Sequence, residues 1–298
     1  MFELSGRRRS LRNFESQGIE RGYSTTPMER VLNQSDLSTT TAVLLAAHGE
    51  RWQEARNGGV LRIARTLSDR GLVQELAFGF ISGAPTVPEA LNALAARRVL
   101  VYPLFVSSGY FTRDRLVQLL DEANRQRRVI RILPPLGHDP GLPDLVVAFA
   151  RQAARENGFA PQMSTVICLA HGSRRNSASR EATERLARGV ESRAAFREVR
   201  TAFLEERPFL NQAAAAVSGP AVVVGIFSGE GLHGARDAPR LTAELGRTDI
   251  VFAGVIGNAP GIDDLIARSV TEALLHDIRA QHLATASNDC ATTAILAG

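Results

Sequence analysis

The chain has 298 residues with 35 basic and 31 acidic side chains, and a net charge of +4 with 6% aromatics is too mild for a nucleic-acid-coating surface. Every basic residue is an arginine, which excludes a Schiff-base lysine and a phosphate-loop lysine. No apolar run reaches the ~20 residues of a membrane span, no secretory signal is visible, and Cys168 and Cys290 cannot build a disulfide framework; a cytoplasmic protein with neither nucleic-acid nor membrane partners is expected.

In chain order, residues 1–40 mix Arg7, Arg8 and Arg9 with polar residues lacking apolar periodicity, and are expected to form a mobile arm. Short Val/Leu/Ile runs follow at 43–47, 76–81, 99–105 and 129–133, separated by helical patterns at 60–70, 87–97 and 114–126. Ala160, Pro161 and Gln162 mark a boundary. The alternation then resumes, with runs at 166–170, 199–204, 221–227 and 250–255 and a helical stretch at 180–193. Continuous apolar runs alternating with helices predict buried parallel strands covered on both faces, an α/β fold. Residues 283–298, rich in Ala, Thr and Ser, read as a flexible tail.

The second series repeats the first. His48-Gly49 and His171-Gly172, each ending an apolar run, stand 123 residues apart, as do Pro85 and Pro208. Gly109 and Gly231 are separated by 122, and Leu136-Gly137 and Ile256-Gly257 by 120. A near-constant offset over four segments is internal duplication, with a period too long for a solenoid. It predicts two similar doubly wound parallel-sheet lobes, residues 41–158 and 163–282.

In an open parallel sheet, ligands bind beyond the carboxyl ends of the strands. In the second half His171 ends the first strand, Glu205 and Glu206 end the second, and His233 follows the third. Two imidazoles with a carboxylate pair suit a borderline divalent metal and proton removal near neutral pH. The first half keeps only His48; an aromatic, Phe111, stands where His233 stands in the repeat, and Ser82-Gly83 replaces the carboxylates. Arg113, Arg174, Arg175 and Arg236 fall near the same edge and suit carboxylate ligands. His138, matched by Asn258, reads as a loop residue, and His276 and His282 as surface residues.

The segments Leu169-Ala-His171-Gly172-Ser173, Phe203-Leu-Glu205-Glu206-Arg-Pro208 and Phe227-Ser-Gly-Glu-Gly231-Leu-His233-Gly-Ala-Arg236-Asp237-Ala-Pro239 resemble the sirohydrochlorin cobalt- and ferrochelatases, the small class II chelatases. The resemblance covers roughly residues 42–280 and is to the fused two-half form. It implies a chelatase fold and insertion of Co2+ or Fe2+ into sirohydrochlorin, in cobalamin or siroheme biosynthesis. The metal enters as substrate, and no permanently bound cofactor is expected. His171 and His233 would hold the metal and accept protons, assisted by Glu205 or Glu206. Ser173, Arg174, Arg113, Arg236 and His48 would line the tetrapyrrole site. Fusion of the halves implies a monomer. In fused members of the family the histidine pair more usually lies in the N-terminal half, whereas here it lies in the C-terminal one. The competing expectation is a non-catalytic metal or tetrapyrrole carrier.

Overall fold

The computed structural model describes residues 41–49, 57–107, 109–229, 231 and 233–296, with side chains through Arg279. The expected N-terminal arm lies outside the described residues.

Eight strands form two separate four-stranded sheets, all parallel. The first contains β1 (Thr41–Ala47), β2 (Leu76–Phe80), β3 (Arg98–Pro103) and β4 (Val129–Ile132) in the order β2-β1-β3-β4. The second contains β5 (Thr165–Ala170), β6 (Glu198–Phe203), β7 (Ala221–Gly225) and β8 (Ile250–Val255) in the order β6-β5-β7-β8. The strand orders are identical, as duplication requires. Local hydrogen bonds repeat as well: Ser82 N–H donates to His48 O at 2.8 Å and Glu205 N–H to His171 O at 3.0 Å. Gly137 N–H donates to Phe105 O, and Gly257 N–H to Phe227 O, both at 3.0 Å.

The helices are α1 (Gly58–Asp69), α2 (Val87–Ala93), α3 (Leu116–Ala123), α4 (Leu142–Glu156), α5 (Ala178–Glu191), α6 (Leu210–Ala215), α7 (Ala238–Ala243) and α8 (Ile262–Leu296). The residues expected as a tail are therefore helical as far as Leu296. The stretch contains no Gly or Pro to stop a helix, and its alanines favour one. Conversely, the helix expected over 87–97 stops at Ala93. The Glu75 carboxylate takes the Ala95 and Ala96 N–H groups, at 2.6 and 3.3 Å, and draws the chain out of helical geometry.

Strand alternation explains the layers. Ala42, Leu44 and Ala46 pack outward against Val87, Leu91, Leu116 and Leu120 of α2 and α3. Ile167 and Leu169 do the same against Leu210, Ala213 and Ala238 in the second lobe. The opposite faces, Val43 and Leu45 in β1 and Val166 and Cys168 in β5, join a single core. That core is filled from Ile63 and Leu67 of α1, Val146 and Ala150 of α4, Leu186 and Val190 of α5, and Ile266 and Val270 of α8. Helix α4, the last element of the first half, packs on β7 and β8 of the second. The halves thus share one helical middle layer rather than each closing its own core.

Polar contacts fix the lobes in register. Arg62 pairs with Asp263 and also donates to Gly257 O at 3.1 Å; Arg131 pairs with Asp277; Arg193 clasps Asp144 at 2.8 and 2.9 Å. Arg185 of α5 reaches His138 at 3.2 Å. So the helix that follows each histidine loop packs against the turn that follows the last strand of the other lobe, and the carboxyl edges of both sheets lie at the same end of the molecule. No helix among the described residues is long and apolar enough to cross a membrane.

Candidate active site

In each sheet the chain moves to one side of the first strand and then returns to the other. The topological switch point therefore lies between β1 and β3, and between β5 and β7. Such a point leaves a crevice beyond the strand ends. His48 and Phe111 flank it in the first lobe, His171 and His233 in the second.

His171 follows the last residue of β5, and Gly172 turns the chain with φ 73°. A side chain there would meet Glu206 Cγ at 2.8 Å and Phe203 Cβ at 2.9 Å, so only glycine lets β5 and β6 exit so closely. His233 opens a π-helical turn, His233–Asp237, continuous with α7. Irregular helical turns of this kind recur at functional sites because they re-aim a side chain. Here the turn brings the His233 ring to 4.6 Å from the His171 ring, at 89° between planes, and the Phe227 ring lies 6.4 Å from that of His233 at 30°. Glu205 Oε1 lies 3.8 Å from His171 Nε2.

Hydrogen bonds select the free nitrogen on both rings. His171 Nδ1 lies 3.0 Å from Gly172 O, which can only accept, so in the neutral ring the proton sits on Nδ1 and the lone pair on Nε2. His233 Nδ1 lies 2.8 Å from the Asp237 carboxylate, with the same consequence. In the neutral form both rings thus keep Nε2 unprotonated, the arrangement that outer hydrogen-bond partners give to metal-binding histidines in general. Among the described residues, no group of three His, Cys, Asp or Glu side chains is arranged to hold a metal ion.

The two adjacent glutamates part company. Glu206 turns inward: its carboxylate accepts from Ser173 N–H at 2.9 Å and from Arg180 at 3.0 and 2.5 Å. The Arg180 guanidinium in turn lies 4.7 Å above the Phe203 ring. Glu206 braces the loop, and Glu205 is the carboxylate left facing His171.

Of the remaining expected residues, Ser173 and Arg174 sit beside His171, with Arg174 Nε donating to Glu205 O at 2.9 Å and Ser173 Oγ accepting from Arg175 N–H at 3.2 Å. Arg236 lies exposed on the His233–Asp237 turn. His48 and Arg113 belong to the first lobe. There the His48 ring packs edge-on against Phe111 at 4.6 Å, and Arg113 is exposed two residues further on. Sequence reasoning missed Asp237 as the partner of His233, Arg180 as the anchor of Glu206, and Phe227 as the ring beside His233. For Asp237 the signal was present, since residues four apart share one helical face.

Residues 42–153 and 165–273 each match the CbiX family model. A probable sirohydrochlorin cobaltochelatase of Halobacterium salinarum is 24% identical over 268 residues, spanning 78% of this chain and 91% of its own. The solved structure of CbiX, described as the terminal enzyme for biosynthesis of siroheme in denitrifying bacteria, is 30% identical, with a TM-score of 0.64 over 78% of this chain and 99% of its own. SirB from Bacillus subtilis with Fe3+, 17% identical, shares the fold at a TM-score of 0.67 over 78% of this chain and 95% of its own. Matched by the family model in both of its halves, the chain belongs to the CbiX family.

Proposed function

We propose that this protein is a lyase-type chelatase that inserts a divalent metal, Co2+ or Fe2+, into sirohydrochlorin, with the second lobe carrying the chemistry. The observation that carries the reading is the pair of Nε2 lone pairs of His171 and His233, each fixed from behind by an acceptor on Nδ1. The name of the Halobacterium relative supports the same substrate and cobalt, and that of the CbiX structure names siroheme biosynthesis.

Insertion forms metal–nitrogen bonds to the macrocycle, strips ligands from the incoming ion and releases two pyrrole protons. His171 and His233 hold the ion through Nε2, and Glu205 adds a carboxylate oxygen within reach of His171. An incomplete ligand set suits an ion that must be handed over: a closed four-ligand site would keep it. As the metal moves into the ring, Glu205 and a vacated imidazole are the bases positioned to take the two protons. Arg174, Arg236 and Arg113, with Ser173 and His48 beside them, serve the carboxylate substituents of the substrate. The fused halves act as a cytoplasmic monomer, and the metal is substrate rather than resident cofactor.

The test separates an enzyme from a carrier. With sirohydrochlorin and Co2+ both in tenfold excess over protein under anaerobic conditions, the metallated product should exceed one equivalent per chain. A single stoichiometric burst with no further turnover would assign the chain a carrier role.

A further inference from the structure

The first lobe has lost the metal-binding pair, yet it keeps the ring geometry that the pair requires. His48 and Phe111 lie 4.6 Å apart and edge-on, the same separation as His171 and His233, and Phe111 occupies the repeat position of His233. Tyr110 extends the surface, its ring 5.6 Å from Phe111. Both rings are open to solvent, Tyr110 at 58% and Phe111 at 44% exposure, although apolar rings elsewhere in the lobe, such as Phe80, are buried. They stand on a fixed support. Phe111–Arg115 forms a π-helical turn like that of His233, Thr112 is buried, and its hydroxyl donates to Ser107 O at 3.0 Å. The two rings meet edge-to-face, 66° between planes, and form an exposed apolar corner in which one ring offers its face and the other its edge.

Because the carboxyl edges of the two sheets share one end of the molecule, this surface lies on the same side as the second-lobe site. We propose that Tyr110 and Phe111, with His48 edge-on to Phe111, form an aromatic platform on which one ring stacks against the flat face of the tetrapyrrole and the other packs at its rim, while the second lobe delivers the metal. The inference rests on the chelatase reading and divides the labour: one histidine pair was kept for the metal, and the other became an aromatic seat for the macrocycle. The occupant is a large flat π-system with acidic substituents, matched by the aromatic faces and by Arg113 on the same turn.

The experiment titrates metal-free sirohydrochlorin into the full chain, anaerobically, for the wild type, the double variant Tyr110→Ala/Phe111→Ala and the conservative Phe111→Tyr. The double variant should bind about tenfold more weakly or worse, the scale seen when rings that stack on flat heterocycles are truncated. Phe111→Tyr should retain affinity, and Co2+ affinity should match wild type in all three. In turnover, KM for the tetrapyrrole should rise more than kcat falls. If the wild type binds the tetrapyrrole and the double variant binds equally well, the platform is refuted and the chelatase reading stands. If the wild type itself does not bind, both fall. Sedimentation of the same samples addresses the other occupant: a wild-type dimer that dissociates in the double variant would show that a second copy covers the rings, and would overturn the proposal.

Discussion

His233 Nδ1 lies 2.8 Å from the carboxylate of Asp237, four residues along the same turn, and in the neutral ring this contact places the proton on Nδ1 and the lone pair on Nε2. Asp237 therefore acts through His233. Asp237→Ala should weaken Co2+ binding and slow insertion by about 10–100-fold, the usual cost of removing the outer partner of a metal-binding histidine. Competition titration with a chromophoric chelator measures the first effect and initial rates the second. Tetrapyrrole affinity should not change.

The neighbouring glutamates give opposite phenotypes. Glu206→Ala removes the partner of Arg180 and of the Ser173 N–H, and should lower unfolding stability by about 1–3 kcal/mol. Glu205→Ala should melt like wild type but metallate more slowly, because its carboxylate faces His171 from an exposed position. Thermal melts paired with initial rates check both. A Glu205 variant that loses stability and a Glu206 variant that does not would reverse the assignment.

At the lobe seam the pKa of His138 is held below the usual imidazole value, first by partial desolvation and then by the guanidinium groups of Arg185 and Arg113. The folded state thus favours the neutral ring. The stability this confers is present above the unfolded-state pKa of the ring and is lost as pH falls through the lowered folded value. Arg185→Ala should raise the pKa of His138 without restoring it fully, since desolvation and Arg113 remain. NMR titration of the ring reads this directly, and an unchanged value would remove Arg185 from its surroundings.

Arg113 and Arg236 have no carboxylate partner within ion-pair distance among the described residues, and both stand on the π-helical turns of their lobes. Arg113→Ala and Arg236→Ala should each weaken sirohydrochlorin binding several-fold and leave Co2+ binding intact. Separate titrations of the two ligands make the comparison. Unchanged tetrapyrrole affinity in both variants would place the substrate carboxylates elsewhere.

The strands were legible because their residues are buried on both faces, which leaves runs such as Val43–Ala47 and Val166–Ala170 with no polar interruption. His171 and His233 were legible because each follows such a run. The choice between Glu205 and Glu206 was not. It depends on Arg180, 26 residues from Glu206 in sequence, and local pattern does not reveal which of two adjacent carboxylates a distant guanidinium will claim. The packing of α4 on the sheet of the second half was equally hidden. An amphipathic stretch declares an apolar face but not the surface that will cover it. The terminal stretch was read as a tail because small Ala, Thr and Ser side chains offer little to pack, while the absence of Gly and Pro up to Leu296 carried the helical information.

The division of labour between the lobes is the central claim, and one comparison tests it most directly: the initial rate of Co2+ insertion into sirohydrochlorin for wild type, His233→Ala and His48→Ala under identical anaerobic conditions. Loss of a metal ligand and proton acceptor should slow His233→Ala by about two orders of magnitude or more. His48→Ala should be clearly milder, because its ring packs on Phe111 rather than on a second imidazole. An equal loss in both variants would mean that the two lobes share one metal site, and a loss confined to His48→Ala would move the chemistry to the first lobe.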